Sequence, residues 1–170
     1  MVNEVIIVVD MLKGFLEKGN PLFCGDDSRR IIPEVVSLLK GYKAEEIIYV
    51  CDSHDEDDRE FNIFPPHCIK GSEEGKIIDE LKPFKGIIIP KTRYSGFFNT
   101  SLEDELKRLK PDKVIVVGLC TDICVMYTVA DLRNRDYEVE VPQRCVVSFD
   151  EESHNFALRH MEKILGAKVV

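Results

Sequence analysis

The sequence predicts an α/β protein: a single domain, residues 1–170, built on an open six-stranded parallel sheet with helices on both faces. Three observations predict it. Short aliphatic runs recur after Glu4, after Gly86 and from Val114, unbroken by polar residues, as suits strands buried on both faces. Segments with apolar residues at helical spacing alternate with them. Residues with chemical capacity follow the runs closely, where open parallel sheets gather their sites.

Glu4 to Asp10 reads as the first strand, ending in a carboxylate. Met11 to Asp27 is irregular, with Gly14, Gly19, Pro21 and Gly25, and carries Phe15 and Phe23. Asp27 or Ser28 is placed to cap a helix from Arg29 to Leu39, with Ile32, Val35, Val36 and Leu39 on one face. The second strand is Glu46 to Cys51, and the stretch from Asp55 to about Gly75 has no periodicity, the mark of a functional loop. A short helical piece from Glu73 to Leu81 leads to the third strand, Gly86 to Pro90. Thr100 or Ser101 starts a helix through Leu109, with Leu102, Leu106 and Leu109 on one face.

Val114 to Val117 is the fourth strand, broken by Gly118, and a helix runs from about Ile123 to Asn134 with Cys124 in its first turn. Thr121 or Asp122 is its expected cap, and the free N–H groups and positive dipole end there favour a thiolate. Tyr137 to Val141 is the fifth strand. Glu151 to Leu165 is a helix with Phe156, Leu158, Met161 and Leu165 inward, and Ala167 to Val170 is the sixth strand.

The 170 residues are 44% hydrophobic and 32% charged, enough for one core. A net charge of −8 removes the electrostatic footprint of a nucleic-acid binder, and no apolar run reaches membrane-spanning length. A small-molecule substrate and a cytoplasmic protein are expected, with homo-oligomerisation left open. The six cysteines are scattered rather than spaced as a disulfide framework, and read as reduced thiols. Cys120 and Cys124 are too far apart for a thioredoxin-type C-x-x-C.

Each candidate residue has a plain structural alternative. Asp10 is a site carboxylate or a turn residue, Cys124 a nucleophile or an inert buried thiol, and Lys91 a site cation or half of a surface ion pair. Asp52, His54 and His67 are the right types for a divalent metal with open positions, though D-x-H at a strand end equally suits capping. What favours the chemical reading is convergence: Asp10, Lys91 and Cys124 follow three strands at one edge of one sheet. Together they supply a base, a cation that favours the thiolate, and a thiolate that attacks a carbonyl.

With an aspartate ending the first strand, lysine ending the third, D-S-H at Asp52 to His54, F-P-P-H-C at Phe64 to Cys68 and G-L-C-T-D-I-C-V at Gly118 to Val125, the chain resembles the isochorismatase-like cysteine hydrolases, and within them the nicotinamidases (pyrazinamidases). The resemblance implies a Rossmann-like three-layer fold and a catalytic triad of Asp10, Lys91 and Cys124. It also implies a cis peptide at Leu119–Cys120 that aims the backbone amides of Cys120 and Cys124 into an oxyanion hole. Asp52, His54 and His67 would bind one divalent ion, zinc first, with iron or manganese as alternatives, and Phe15 and Phe64 would stack on the substrate ring. The chain departs from the family pattern twice. Met11-Leu12-Lys13-Gly14-Phe15 stands where V-Q-N-D-F is common, and Glu60 replaces a further histidine, so that it becomes a candidate fourth ligand. Two other functions remain open: a metal-independent amidohydrolase of the same family acting on a carbamoyl or ureido substrate, and a non-enzymatic thiol redox or binding protein using Cys120 and Cys124.

Overall fold

In the computed structural model, which describes residues 3–170, the strands form one all-parallel sheet ordered β3-β2-β1-β4-β5-β7. The strands are β1 (Glu4–Val9), β2 (Ile47–Asp52), β3 (Ile87–Lys91), β4 (Lys113–Leu119), β5 (Val139–Val141), β6 (Val146–Val147) and β7 (Lys168–Val169). The helices are α1 (Lys13–Leu16), α2 (Ile31–Leu39), α3 (Leu102–Leu109), α4 (Met126–Arg133) and α5 (Glu151–Lys163). Alternation along each strand divides the core in two. Ile6, Val8, Tyr49 and Val117 face the α1 and α2 side, while Ile7, Val9, Val50 and Val116 face α3, α4 and Met161 of α5. The result is the expected three-layer α/β fold. No described helix is long and apolar enough to cross a membrane.

Several local expectations are corrected. The sheet gains a seventh strand, β6, whose two residues pair with Gly118 and Leu119 at the end of β4. Gly118 therefore does not break β4. It sits in the ladder at φ +115°, opposite Val9, and a Cβ there would stand 2.0 Å from the Val9 carbonyl oxygen. Only glycine lets β4 run this close to β1. The helix predicted over Arg29–Leu39 starts as a 3-10 turn at Asp26–Arg30, and neither Asp27 nor Ser28 caps it. Glu73 to Leu81 condenses to one 3-10 turn, Asp79–Leu81. In α5 the buried residues are His154, Ala157 and Met161, while Phe156 is half exposed, so the helix is rotated from its apolar reading.

The largest correction falls on the segment after β4. Thr121–Val125 is a π-type turn with Ile123 at φ −118°, ψ −105°, and regular helix begins only at Met126. Neither Thr121 nor Asp122 caps it, because both side chains are drawn to the segment after β6: Asp122 accepts from the Ser148 hydroxyl, and the Thr121 hydroxyl meets His154. The Leu119–Cys120 peptide is cis.

Candidate active site and metal centre

The site is built on strands that are neighbours in space. β2 and β3 pair with Asp52 directly beside Lys91, and Val9 of β1 pairs with Val50 and Gly118. Asp10 follows β1 at φ +49°, its N–H donating to Val50 O at 3.0 Å, so its side chain turns over the end of β2. There Oδ1 accepts the Asp52 N–H at 2.8 Å.

Lys91 is the hub. Its side chain is fully buried, with Nζ 2.8 Å from Asp10 Oδ2, paired with Asp52 Oδ1 and donating to Cys124 Sγ at 3.4 Å. Burial alone would lower its pKa, but the Asp10 and Asp52 carboxylates and the Cys124 sulfur hold it well above the usual lysine value, so it stays charged. The contact with Asp10 Oδ2 is an ion pair without the angle of a hydrogen bond, which leaves that oxygen with no directional donor. Asp10 is pushed up to about 6 by burial and by the Asp52 charge, against the pull of Lys91. Burial also pushes the Cys124 thiol well above its ordinary range, despite Lys91. This corrects the expectation of a thiolate favoured by a helix start. Cys124 lies in the π-type turn, two residues before α4 begins, and two carboxylates stand close by, oxygens of Asp10 and Asp52 lying within 4.8 Å of Cys124 Sγ. The resting pair is a neutral thiol beside a carboxylate of raised basicity.

Asp52 turns its other oxygen toward a second cluster. Oδ2 lies 3.5 Å from His54 Nε2 and 3.6 Å from His67 Nε2, and Glu60 Oε1 lies 4.0 and 3.7 Å from the same two nitrogens. Burial opposes the ionised form of Asp52, but the Lys91 charge and the neighbouring His54 and His67 rings outweigh it and hold the carboxyl well below the carboxylate range. The loop's fold explains the grouping. His54 N–H donates to Cys68 O at 3.1 Å and its own carbonyl accepts from Lys70 N, which sets His67 beside it. Asp58 caps the 3-10 turn Arg59–Asn62 that carries Glu60, receives Arg93 at 2.9 Å, and engages His54 Nδ1 at 2.9 Å, while His67 Nδ1 donates to Pro65 O at 2.8 Å. Both imidazoles thus turn Nε2 inward. His54 Nε2 and Glu60 Oε2 are buried with no hydrogen-bond partner, an arrangement that costs free energy unless something else takes those atoms. Two imidazoles and two carboxylates whose ligating atoms lie within 4.8 Å of one another fit a divalent cation.

These two clusters share one pocket, with Asp10, Cys124, Asp52, Glu60 and His67 in its lining. Phe15 and Phe64 line it, and Phe15, Phe61 and Phe64 pack around His67 with ring centroids 5.8, 5.5 and 6.4 Å away. Sequence reasoning missed Leu22, Tyr94, Ile123 and Phe149, which line it too, and Asp58. Tyr94 follows Lys91 by three residues and Ile123 precedes Cys124, so proximity was a signal for these two. Phe149, brought in by the turn before α5, had none. The wider groove near Glu4, Tyr42 and Arg144 lies by the starts of β1 and β2 and contains no such grouping among the described residues.

Residues 4–170 match the model of the isochorismatase domain. The chain belongs to the isochorismatase family. As an isochorismatase-family hydrolase it is similar to the solved structure of the nicotinamidase PncA from Bacillus subtilis, at 33% identity and TM-score 0.91 over 99% of both chains. It is similar also to the pyrazinamidase of Pyrococcus horikoshii in complex with zinc, at 28% identity and TM-score 0.88 over 99% of this chain and 98% of that one. A third likeness is the N-carbamoylsarcosine amidase of Thermoplasma acidophilum, at 29% identity and TM-score 0.87 over 98% of this chain and 95% of that one. In all three cases the shared fold spans essentially the whole length.

Proposed function

We propose that this isochorismatase-family hydrolase is a metal-containing nicotinamidase, converting nicotinamide and water to nicotinate and ammonia. One observation carries the reading: Asp52 gives one oxygen to Lys91 beside Cys124 and the other to the His54, Glu60 and His67 cluster, so a carboxamide-attacking group and a site for a ring nitrogen share one pocket. The likeness to a nicotinamidase and to a zinc-bound pyrazinamidase supports it.

In the mechanism, Phe15 and Phe64 hold the pyridine ring. Asp10, basic near pH 6 and with Oδ2 free of directional donors, takes the Cys124 proton as the sulfur adds to the carboxamide carbon. Lys91 balances the charge formed there. The backbone amides of Cys120 and Cys124 receive the oxyanion. Asp10 then passes the proton to the departing ammonia, leaving a thioester, and takes a proton from the water that releases nicotinate. Asp52, His54, Glu60 and His67 would hold the ion, zinc first, with iron or manganese as alternatives. Such an ion supplies a Lewis acid for the pyridine nitrogen. Six unpaired cysteines suit a cytoplasmic protein, where nicotinamide is met.

The likeness to an N-carbamoylsarcosine amidase favours one rival, a metal-independent carbamoyl amidase. Ammonia release from nicotinamide and from N-carbamoylsarcosine, each before and after chelation, separates them. Turnover of nicotinamide that falls on chelation and returns with zinc, iron or manganese is the expected result. Turnover of the carbamoyl substrate alone, indifferent to chelator, would overturn the assignment.

A further inference from the structure

The turn that carries Cys124 is restrained from the side away from the pocket. Thr121 is fully buried, and its hydroxyl lies 2.7 Å from Nδ1 of His154, one turn into α5. One residue further on, Asp122 accepts from Ser148, between β6 and α5. The turn needs such ties. With Ile123 outside helical dihedrals, the regular i to i−4 ladder is not what fixes it; the Cys120 carbonyl takes the amides of both Ile123 and Val125 at 3.1 Å. His154 itself is only 9% exposed and shares the inward face of α5 with Ala157 and Met161. Burial lowers its pKa, helped by the Arg30 charge, which keeps the ring neutral at pH 7, so that Nδ1 either accepts the Thr121 hydroxyl or, in the other tautomer, donates to it.

We propose that His154 is a positioning residue: acting through Thr121, it fixes the turn from which the amides of Cys120 and Cys124 meet the oxyanion. The inference rests on the amidase reading above and deepens it. Donors to a developing oxyanion work only when placed within about 0.2 Å of 2.9 Å from it, and a shift of about 1 Å costs on the order of a hundredfold in rate. The sulfur is less demanding. Cys124 Sγ is held by Lys91 on the pocket side, so freeing Thr121 should loosen the amides while the thiol keeps its partner.

The test compares His154→Leu, which removes the Thr121 partner, with His154→Asn, whose side-chain amide can accept or donate where Nδ1 stood. Thr121→Val and Thr121→Ser form the matching pair should a His154 variant fail to fold. Three readouts are taken: kcat and KM for nicotinamide, the rate of Cys124 alkylation by iodoacetamide, which forms no oxyanion, and the affinity for pyridine-3-carbaldehyde, whose thiohemiacetal oxygen occupies the oxyanion site without turnover. The expected result is a fall of about tenfold to a hundredfold in kcat for the Leu and Val variants, with KM within about twofold, aldehyde affinity falling in step, alkylation unchanged, and recovery in the Asn and Ser variants. Unchanged kcat in the Leu and Val variants overturns the proposal. So does an equal loss of alkylation, or a loss that the Asn and Ser variants fail to repair, since either marks general damage to packing. A wild-type protein that binds the aldehyde but does not hydrolyse nicotinamide fails the substrate assignment, and the aldehyde affinities then decide the role of His154. If wild type neither binds the aldehyde nor turns over nicotinamide, both readings fall.

Discussion

Lys91 and Asp52 stand side by side in register on β3 and β2, and their side chains meet in a buried ion pair at the carboxyl ends of those strands. The pair joins two pieces of chemistry, because the same lysine reaches Asp10 and Cys124 while the same aspartate reaches His54 and His67.

Lys91→Met therefore costs stability as well as activity. It leaves two buried carboxylates facing each other without a cation, and removing one partner of a buried ionic set costs roughly 3–5 kcal/mol. Urea denaturation at pH 7 should show a loss of that order. A midpoint unchanged from wild type would mean that the ammonium contributes nothing to holding Asp10 and Asp52 together.

Cys124→Ala separates chemistry from folding. Loss of the nucleophile should reduce amide hydrolysis by at least about 10³-fold, while the melting temperature moves by only a few degrees, since a small thiol is replaced by a methyl group in place. Residual turnover near wild type would point the chemistry elsewhere.

Asp58 is outside the pocket lining, yet it holds both His54 Nδ1 and the turn that carries Glu60. Asp58→Ala should weaken zinc affinity about tenfold to a hundredfold, measured by competition with a chromogenic chelator. Equal affinity in the two proteins would show that the imidazole is oriented without it.

Gly118→Ala tests the close approach of β1 and β4. The added Cβ meets Val9 backbone at 2.0 Å, and neither strand can step aside without breaking the ladder beneath the site. A loss of about 4 kcal/mol or more, or failure to fold, is expected from chemical denaturation. A soluble variant of ordinary stability would require β4 to run otherwise.

His154 also gives a pH signature. Its folded pKa lies below 6.5, owing to burial first and the Arg30 charge second. Well above pH 6.5 the ring is neutral in both folded and unfolded chains and carries no penalty. As pH falls from there toward the folded value, the unfolded chain takes up a proton that the folded protein resists, so this contribution to stability is lost. The stability of wild type relative to His154→Asn should thus decline as pH falls below 6.5. A relative stability that is flat or rises on acidification contradicts the sign.

What was legible in the sequence follows from where its information is local. Unbroken aliphatic runs mark buried parallel strands, and residues just past them must lie along one edge of the sheet, so the meeting of Asp10, Lys91 and Cys124 could be read before any coordinates. Contacts made from a distance could not. Nothing near Thr121 or Asp122 announces that His154 and Ser148 take their side chains, so the local sequence reads as a helix cap with the thiol in the first turn. The two-residue β6 is too short for any periodicity, and Phe156 has the right apolar character on the wrong side of α5. Asp52 was readable as a ligand but not as the partner of Lys91, because that pairing depends on the register of β2 against β3.

The strand order β3-β2-β1-β4 has a consequence for how the chain comes to life. Residues 1 to 91 supply Asp10, Asp52, His54, His67 and Lys91, whereas Cys124 arrives on β4, the last of these strands to be synthesised, and must insert on the far side of β1. Every candidate metal ligand and the charged neighbours of Cys124 thus precede it in the order of synthesis, and only the sulfur that Lys91 contacts is still to come. A chain ending before β4 carries the candidate metal ligands but lacks both Cys124 and the strand that borders β1 on its other side, so the candidate nucleophile and the middle of the sheet are completed together.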